Sequence, residues 1–416
     1  MDQGGKMETS IIDGIFTLKL NAIQTITLAV MTYYFGVFVR NRVAVLKRLS
    51  IPAPVIGGML FALIVSILRS KGVIALNLDT TLQTALMTIF FSTIGFGASL
   101  TLIKKGGKPL VIFFVLAIIV AFAQNIIGIA LAKIAGVHPV LGIIGGAVSL
   151  MGGLGTGGAF GPYFENLGVS GATAAAIACA TFGMAAGSLM GAPFGEFLIR
   201  KYKITTRKSA AEIAAGSSPD VTFEDAEAAV TSQKLLSTLG LVLVAVASGA
   251  FLSLFLKDAG MTLPVYIGAM MAGAVVRNLC DLTEKSSVDM DCIEVVSNIT
   301  LALYLTMAIN NLKLWELVNL AVPLMIILIG QVIFIGLFAW LVVYFVMGRD
   351  YEAVQMSVGM IGFGLGAMPN ALVNMAALSE KYGYARQAYI LVSLVGAFLI
   401  DFVNALLITW MGGWFV

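Results

Sequence analysis

Charged side chains are scarce in this chain of 416 residues. Only 11% of the residues are Asp, Glu, Lys or Arg, whereas a soluble domain carries about 25%. Hydrophobic residues make up 59% of the sequence, and the mean hydropathy is +0.98. This composition excludes a water-soluble globular protein. It predicts an integral membrane protein whose main surroundings are the lipid bilayer, and we expect no nucleic-acid partner.

Cysteine and histidine are scarce as well. The three cysteines, Cys179, Cys280 and Cys292, lie at no spacing that suits metal ligands, so free thiols are the simplest interpretation. The sequence shows no nucleophile–base pairing and no metal-ligand cluster. We therefore predict that the protein is not an enzyme and needs neither a cofactor nor a transition metal. The N-terminus lacks a basic segment with a cleavage site, so we expect no signal peptide.

Long runs of apolar residues make up most of the sequence. They are too long for the alternating strands of a membrane barrel, and they predict an all-α membrane protein. Ten spans are indicated, five on each side of one polar segment: Phe16–Val39, Val55–Leu68, Leu82–Leu102, Leu110–Ile134, Ala172–Ile199, Leu235–Leu256, Pro264–Val276, Val295–Asn310, Val318–Val346 and Ala388–Trp410.

The two halves of the chain resemble each other. Pro52 and Pro264 each open a short run, and Gly153-Leu154-Gly155 returns as Gly364-Leu365-Gly366, 211 positions later. Because each half holds an odd number of spans, the second half must insert with the opposite orientation. The sequence thus predicts two inverted five-helix repeats. Their bounds are 1–202 and 234–416, with a cytoplasmic linker at 203–233.

Two glycine-rich stretches interrupt the apolar sequence, at 149–162 and at 359–370. Matched interruptions in two halves of a chain point to a transporter's binding site. Unpaired backbone groups are tolerated inside a membrane only where protein covers them or where they line a polar cavity. We therefore predict two re-entrant hairpins, at about 139–165 and about 352–378, whose tips meet near the middle of the membrane.

Each predicted hairpin consists of two half-helices. The first ends at the tip with free carbonyls, and the second begins there with free N–H groups and the positive end of its dipole. Thr156 suits the N-cap of one second half-helix, with Pro162 in its first turn, and Pro369 suits the first position of the other. Such ends can bind carboxylates and a small cation. The predicted substrate-binding residues are Gly153, Gly155, Thr156, Gly157, Gly364, Gly366, Pro369, Asn370 and Asn374.

Asp401 is the one clear carboxylate deep inside an apolar run, and Asn404 follows about one turn later. Ionisable residues inside membranes are rare and usually functional, and this pair suits Na⁺ or H⁺. We assign a coupling cation to Asp401, Asn404, Ser149, Thr181 and Gly362. Two other interpretations stay open. Asp401 can instead pair with a buried partner and hold helices together, and Ser149 and Thr181 can serve ordinary helix packing.

Basic residues are distributed unevenly among the predicted loops. If the N-terminus is outside, the inside loops collect most of the 25 lysines and arginines, among them Arg40, Lys104 and Arg200. The positive-inside rule then predicts both termini on the outer, periplasmic side. In this topology the first hairpin enters the membrane from outside and the second enters from the cytoplasm.

Seven sequence motifs resemble those of the bacterial sodium/glutamate symporter family, in the right order along nearly the whole chain. They are IPAPVIGG (51–58), STIGFGAS (92–99), GGLGTGGAF (152–160), CATFG (179–183), LKLWEL (312–317), GFGLGAMPNALVNM (362–375) and GAFLIDFVNALLI (396–408).

The resemblance implies an inner-membrane carrier of ten spans with two inverted halves and two re-entrant hairpins. It further implies L-glutamate uptake driven by Na⁺, an elevator-type mechanism and a homodimer. The family's tip roles carry over to 152–157 and 362–370, and its intramembrane acid to Asp401. The family leads us to expect histidine where Leu154 stands and tryptophan where Phe160 stands, so this chain departs from the pattern at two positions.

Without the family resemblance, the residues alone are compatible with other functions. One is Na⁺- or H⁺-coupled transport of another anionic amino acid or of a dicarboxylate, because a single acidic residue suits either ion. A passive channel is a second alternative, since paired half-membrane hairpins also line pores, and it predicts flux without coupling. A structural or sensory membrane protein is a third, although such a protein has no need for broken helices.

Overall fold

The computed structural model describes residues 8–12, 15–49, 51–206, 231–258, 264–283 and 288–415. Most of the predicted linker 203–233 lies outside these residues. The helices are α1 (Ala22–Arg42), α2 (Ala44–Arg48), α3 (Ala53–Ser70), α4 (Thr81–Gly97), α5 (Leu100–Ile134), α6 (Pro139–Val148), α7 (Gly153–Asn166), α8 (Ala172–Tyr202), α9 (Ser232–Asp258), α10 (Val265–Thr283), α11 (Met290–Asn310), α12 (Ala321–Val346), α13 (Tyr351–Leu365), α14 (Met368–Tyr382), α15 (Arg386–Leu394) and α16 (Ile400–Gly412).

Seven of the helices in the described residues are long and apolar enough to cross a membrane, judged by length and composition. These are α1, α3, the part of α5 from Gly107, α8, α9, α11 and α12. The helices α4, α6 and α16 are apolar but shorter. The prediction of an all-helical, multi-pass membrane protein is therefore confirmed.

The described residues also form a small three-stranded sheet, with two strands before α1 and one strand after α3. Strand β1 (Glu8–Ile12) pairs antiparallel with β2 (Ile15–Leu20), and β2 pairs parallel with β3 (Ala75–Leu78). The predicted span from Phe16 is thus wrong at its start, because Phe16 lies in β2. Helix α1 begins only at Ala22, where the Asn21 side chain accepts from the backbone N–H of Gln24 and the Gln24 side chain accepts from that of Asn21. This reciprocal cap, and not hydropathy, determines where the helix starts.

The helices pack in two sets, and contacts within a set are far more extensive than contacts between sets. The first set, called the hairpin set below, contains α5 to α8 and α12 to α16. The second set, called the frame set, contains α1, α3, α4 and α9 to α11. Each set therefore combines helices from before and after the polar segment.

Helices α4 and α10 of the frame set approach each other until their backbones touch. A Cβ atom built on Gly95 of α4 would overlap the Met270 carbonyl of α10. Small residues allow this kind of close crossing between membrane helices. The short distance leaves no room for a larger side chain at this point.

We expect Gly95→Ala to lower the free energy of unfolding by about 1 to 3 kcal/mol, because the two backbones must separate. Gly240→Ala is the matched control, since Gly240 is also helical but a Cβ there meets nothing within 4 Å. Thermal unfolding of the detergent-purified variants measures the difference. Equal melting temperatures for Gly95→Ala and wild type would contradict the close crossing.

Candidate functional site

The first glycine-rich stretch forms the tip between two short helices, α6 and α7, which we call hairpin 1. Helix α6 begins with Pro139, and the backbone N–H of Val140 donates to Nδ1 of His138 at 3.3 Å. The helix loses its regular geometry at Gly146 (φ −101°, ψ −128°) and ends at Val148. Helix α7 then starts at Gly153, so the chain reverses over only a few residues.

The second glycine-rich stretch has the same arrangement in α13 and α14, which we call hairpin 2. Asp350 caps α13 by accepting from the backbone N–H of Ala353 at 2.8 Å. The helix ends at Leu365, Gly366 and the extended Ala367 follow, and α14 begins at Met368. Both glycine-rich stretches therefore separate two helices, as the sequence predicts.

The tips of the two hairpins touch each other. Gly153 has a positive φ of +62°, and a Cβ atom built there would lie 2.6 Å from the carbonyl oxygen of Gly366. Only glycine adopts this backbone conformation without strain and leaves room for the opposite carbonyl. The starts of α7 and α14 consequently meet at one place in the molecule.

Within the described chain, neither of these two helix starts receives a hydrogen bond from a capping side chain. Backbone N–H groups at an uncapped start, together with the helix dipole, form a site that favours anions. The predicted caps need correction. The N-cap of α7 is Gly152 and not Thr156, because the helix begins four residues earlier than predicted, at the left-handed Gly153. Pro162 accordingly lies well inside α7 instead of in its first turn, and Pro369 occupies the second position of α14.

Helix α8 lies behind both hairpins and accepts hydrogen bonds from them. Ser149 donates to the Ala176 carbonyl at 3.0 Å. In hairpin 2, the side-chain NH₂ groups of Asn370 and Asn374 donate to the carbonyls of Met184 and Gly187, at 3.0 and 2.9 Å. These two asparagines therefore lie on one face of α14, as predicted, and that face attaches hairpin 2 to α8.

The remaining predicted residues lie close to these elements. The Thr181 hydroxyl donates to the Ile177 carbonyl of its own helix, at 2.7 Å. Gly362 lies where the two arms of hairpin 2 touch, since a Cβ there would overlap Ala371. Gly157 faces Ala176 of α8, and Gly364 faces Ile335 of α12. The predicted tip residues thus lie on the arms of the two hairpins, and Thr181 lies on α8 between the residues that accept hydrogen bonds from them.

Helix α16 carries the predicted acidic residue to the same place. Asn404 is fully buried, and its NH₂ group donates to the Ala147 carbonyl of hairpin 1 at 2.9 Å. Its Oδ1 atom meets no hydrogen-bond donor among the residues described here. Asp401, one turn earlier and half-buried, lies within electrostatic reach of the Tyr304 hydroxyl. A carboxylate and an unused amide oxygen one turn apart on α16 are oxygen ligands of the kind that a hard cation prefers.

Comparisons with known proteins place the chain in a family. Residues 18–384 match the profile of the family described as sodium/glutamate symporter. A sodium/glutamate symporter of Haemophilus influenzae is 37% identical over 388 residues, which covers 92% of this chain and 95% of that protein. One of Escherichia coli is 36% identical over 392 residues, covering 94% of this chain and 96% of that protein.

This chain belongs to the sodium/glutamate symporter family. It is accordingly a transporter and not an enzyme, as predicted. The two positions at which we expect a different residue in the family both lie inside the fold. Leu154 is buried in the first turn of α7, and Phe160 is fully buried with its ring edge-on to Tyr266, at a centroid distance of 5.5 Å.

Three buried amide side chains make hydrogen bonds to backbone groups in and around the broken helices of this symporter family member. None of them was identified from the sequence. Asn125 of α5 accepts from the Ala147 N–H at 3.1 Å, and the neighbouring Gln124 donates to the Gly364 carbonyl at 2.7 Å. Gln331 of α12 donates to the Gln124 carbonyl at 2.6 Å. Backbone groups that a broken helix leaves unpaired must find partners elsewhere. The adjacent amides Gln124 and Asn125, in the middle of an otherwise apolar run, were the signal in the sequence.

Tyr304 of α11 was also missed, and it connects the frame set to the tip of hairpin 1. Its fully buried hydroxyl donates to the Gly155 carbonyl at 2.6 Å, and its ring lies against Phe90 at a centroid distance of 5.5 Å. A tyrosine among apolar residues gives no signal by itself. Its role depends on which carbonyl the fold brings to it.

We expect Tyr304→Phe to lower the free energy of unfolding by about 1 to 3 kcal/mol, because the partly buried Gly155 carbonyl loses the Tyr304 donor. Thermal unfolding of the purified protein measures this. Tyr34→Phe, at an exposed position on α1, is the matched control and should melt like wild type. A melting temperature of Tyr304→Phe equal to that of the control would show that the hydrogen bond adds nothing to stability.

Proposed function

We propose that this protein is a secondary active transporter that takes up L-glutamate together with Na⁺. The observation that carries the proposal is the meeting of two uncapped helix starts, those of α7 and α14, beside the half-buried Asp401. Two opposed helix starts offer backbone N–H groups to a substrate with two carboxylates. The carboxylate and the freed carbonyls next to them offer oxygens to the cation. Family membership supports the same substrate and ion.

Each predicted residue has a role in this mechanism. Na⁺ binds first, to the Asp401 carboxylate, the Asn404 amide oxygen, the hydroxyls of Ser149 and Thr181 and the Gly362 carbonyl. Its charge orders both tips, so that the free N–H groups at the start of α7, around Gly153 and Gly155, and before α14, around Gly366, receive the substrate carboxylates. Thr156, Gly157 and Gly364 lie in the adjoining helical turns and shape the tips, and Pro369 fixes the start of α14. Asn370 and Asn374 act as positioning residues, since their NH₂ groups attach hairpin 2 to α8. A carrier that moves net positive charge inward also gains about 2.3 kcal/mol per charge per 100 mV of membrane potential.

The test is uptake of radiolabelled L-glutamate into proteoliposomes with an inward Na⁺ gradient, and then without one. We expect accumulation only with the gradient. Accumulation with a proton gradient alone would favour proton coupling, and competition by other anionic amino acids or by dicarboxylates would define selectivity. Equal passive flux under every gradient would favour the channel and remove coupled transport.

The packing of the helices into two sets also supports a proposal about the membrane topology. We infer ten membrane passages in two inverted repeats, 1–202 and 234–416, each with one re-entrant hairpin. The hairpin set draws on residues from Gly107 to Tyr202 and from Ala321 to Gly412, and the frame set draws on the corresponding earlier part of each half. An elevator-type movement would slide the hairpin set against the frame set. Cysteine pairs placed across the boundary, cross-linked in the presence and absence of Na⁺, test whether the two sets move.

The proposed orientation has both termini on the periplasmic side of a bacterial inner membrane and the linker 203–233 in the cytoplasm. It rests on the distribution of basic residues. Single cysteines introduced between residues 210 and 230 should react with an impermeant maleimide only from the cytoplasmic side, and reaction from outside would invert the topology. The homodimer that the family resemblance implies is tested by cross-linking in the membrane, where a monomer band alone would exclude it.

A further inference from the structure

A cavity of about 530 Å³ opens between the two helix sets, away from the tips. Its volume lies within the range of small-molecule sites in proteins, about 300 to 1,000 Å³. The frame set contributes one face of α4, the start of α10 and the end of α11, and the hairpin set contributes the last turns of α7 and the start of α8. All of these helix ends lie on the same side of the protein, so the cavity leads from that side toward the tips.

Three side chains that line this cavity are at least nine-tenths buried and carry an unused polar atom. They are Gln83 of α4, Thr173 of α8 and Tyr266 of α10, which are 9%, 8% and 3% exposed. Nothing in the described parts of the chain makes a hydrogen bond to Gln83 Oε1, Thr173 Oγ1 or Tyr266 Oη. Buried polar atoms in native proteins nearly always have a partner, and unpaired ones call for an explanation. Their convergence on one cavity points to a ligand that supplies the partners.

Both charge signs are present around these atoms. Glu165 of α7 lines the cavity, and one of its oxygens accepts from the Thr173 backbone N–H at 2.9 Å. Lys313, just beyond the end of α11, lines the same cavity; its side chain is 60% exposed, and its ammonium group lies 3.8 Å from a carboxylate oxygen of Glu316. A zwitterion matches this arrangement. Its ammonium group would meet the Gln83 Oε1 and Glu165 oxygens, and its carboxylates would meet the Thr173 and Tyr266 hydroxyls and Lys313.

We propose that this cavity is a second binding position for the transported acidic amino acid, occupied before the substrate reaches the tips. The proposal rests on the function proposed above. The residues of α7 that line the cavity run from Ala159, four residues and about 6 Å along the helix from Gly155, to Asn166, eleven residues and about 16 Å from it. A molecule bound at the Asn166 end of the cavity therefore does not reach the tips. Because the cavity contains no residue assigned to the cation, binding there does not require Na⁺.

The KM for glutamate uptake tests whether the Tyr266 and Thr173 hydroxyls bind the substrate. Tyr266→Phe and Thr173→Val each remove one hydrogen bond to a charged group, so the KM for Na⁺-driven glutamate uptake should rise about ten-fold for each variant, while kcat changes less than about two-fold. Tyr34→Phe and Thr300→Val are the matched controls. The first is exposed on α1, and the Thr300 hydroxyl donates to the Val296 carbonyl of its own helix at 2.7 Å. A KM equal to that of the controls in both Tyr266→Phe and Thr173→Val would overturn the proposal.

A second test labels a cysteine in the cavity and leaves the side chains of Gln83, Thr173 and Tyr266 unchanged. Thr84, an exposed residue that lines the cavity, is replaced by cysteine after the three native cysteines have been changed to alanine. In detergent without Na⁺, L-glutamate should slow its reaction with N-ethylmaleimide, and L-lysine should not. Protection that appears only with Na⁺, or none at all, would overturn a separate Na⁺-independent position. A failure of the proposed function gives a different result. In that case the wild-type protein shows no Na⁺-driven glutamate uptake, whether or not L-glutamate protects Thr84→Cys from labelling.

Discussion

Gly153→Ala is expected to reduce Na⁺-driven glutamate uptake by about ten- to one-hundred-fold. Two physical effects combine at this residue. Its φ of +62° is strained for any residue with a Cβ atom, at a cost of about 1 to 2 kcal/mol. The added Cβ would also lie 2.6 Å from the Gly366 carbonyl, so the two tips must move apart. Initial rates of uptake into proteoliposomes, normalised to the amount of reconstituted protein, measure the loss.

Gly136→Ala separates these two effects. Gly136 has a similar φ of +73°, but a Cβ there meets nothing within 4 Å, so this variant carries the backbone strain without the clash. It should lose some thermal stability and keep its uptake. If Gly153→Ala and Gly136→Ala transport equally well, the contact between the tips is not needed for function. If both elute as folded protein in size-exclusion chromatography, a folding defect does not explain a difference.

Asp401→Asn should raise the Na⁺ concentration for half-maximal uptake by about ten- to one-hundred-fold, because the cation loses a charged oxygen ligand. The substitution keeps the shape of the side chain, so the fold should persist. The Na⁺ dependence of uptake at fixed glutamate concentration measures the change. This is the sharpest test of the cation site, since Asp401 is the one carboxylate assigned to it.

Asp291→Asn is the control for this experiment. Asp291 is exposed in the first turn of α11, away from the tips, and its replacement removes the same charge from the protein. It should leave the Na⁺ dependence unchanged. An unchanged Na⁺ dependence in Asp401→Asn as well would exclude Asp401 from the cation site. It would favour the other interpretation, in which the carboxylate only holds helices together.

Local patterns predicted the parts of the fold that local physics determines. Apolar runs indicated the helices because burying polar backbone in lipid requires continuous helix. The glycine-rich stretches indicated the tips, since such interruptions inside an apolar region need a special backbone arrangement. Even so, helix starts were misplaced. Phe16 lies in a strand, and Thr156 does not cap α7, because a left-handed glycine begins that helix first.

The partners of side chains could not be predicted in this way. Gln124 bonds the Gly364 carbonyl, which is 240 positions away, and Tyr304 bonds Gly155, which is 149 positions away. No periodicity within one helix specifies which carbonyl of another helix faces it. Gln83, Thr173 and Tyr266 each look unremarkable in the sequence for the same reason. They form a group only after α4, α8 and α10 have packed.

The hydrogen bond between Tyr304 and Gly155 runs from one helix set to the other at the tip itself. A relative displacement of about 1 Å stretches it beyond the range of an O–H···O bond. In apolar surroundings such a bond is worth about 4 to 6 kcal/mol. That energy enters the activation barrier for any sliding of the sets unless water or an ion engages the carbonyl first. The Tyr304 hydroxyl would therefore limit the rate of the movement proposed above, in addition to stabilising the folded state.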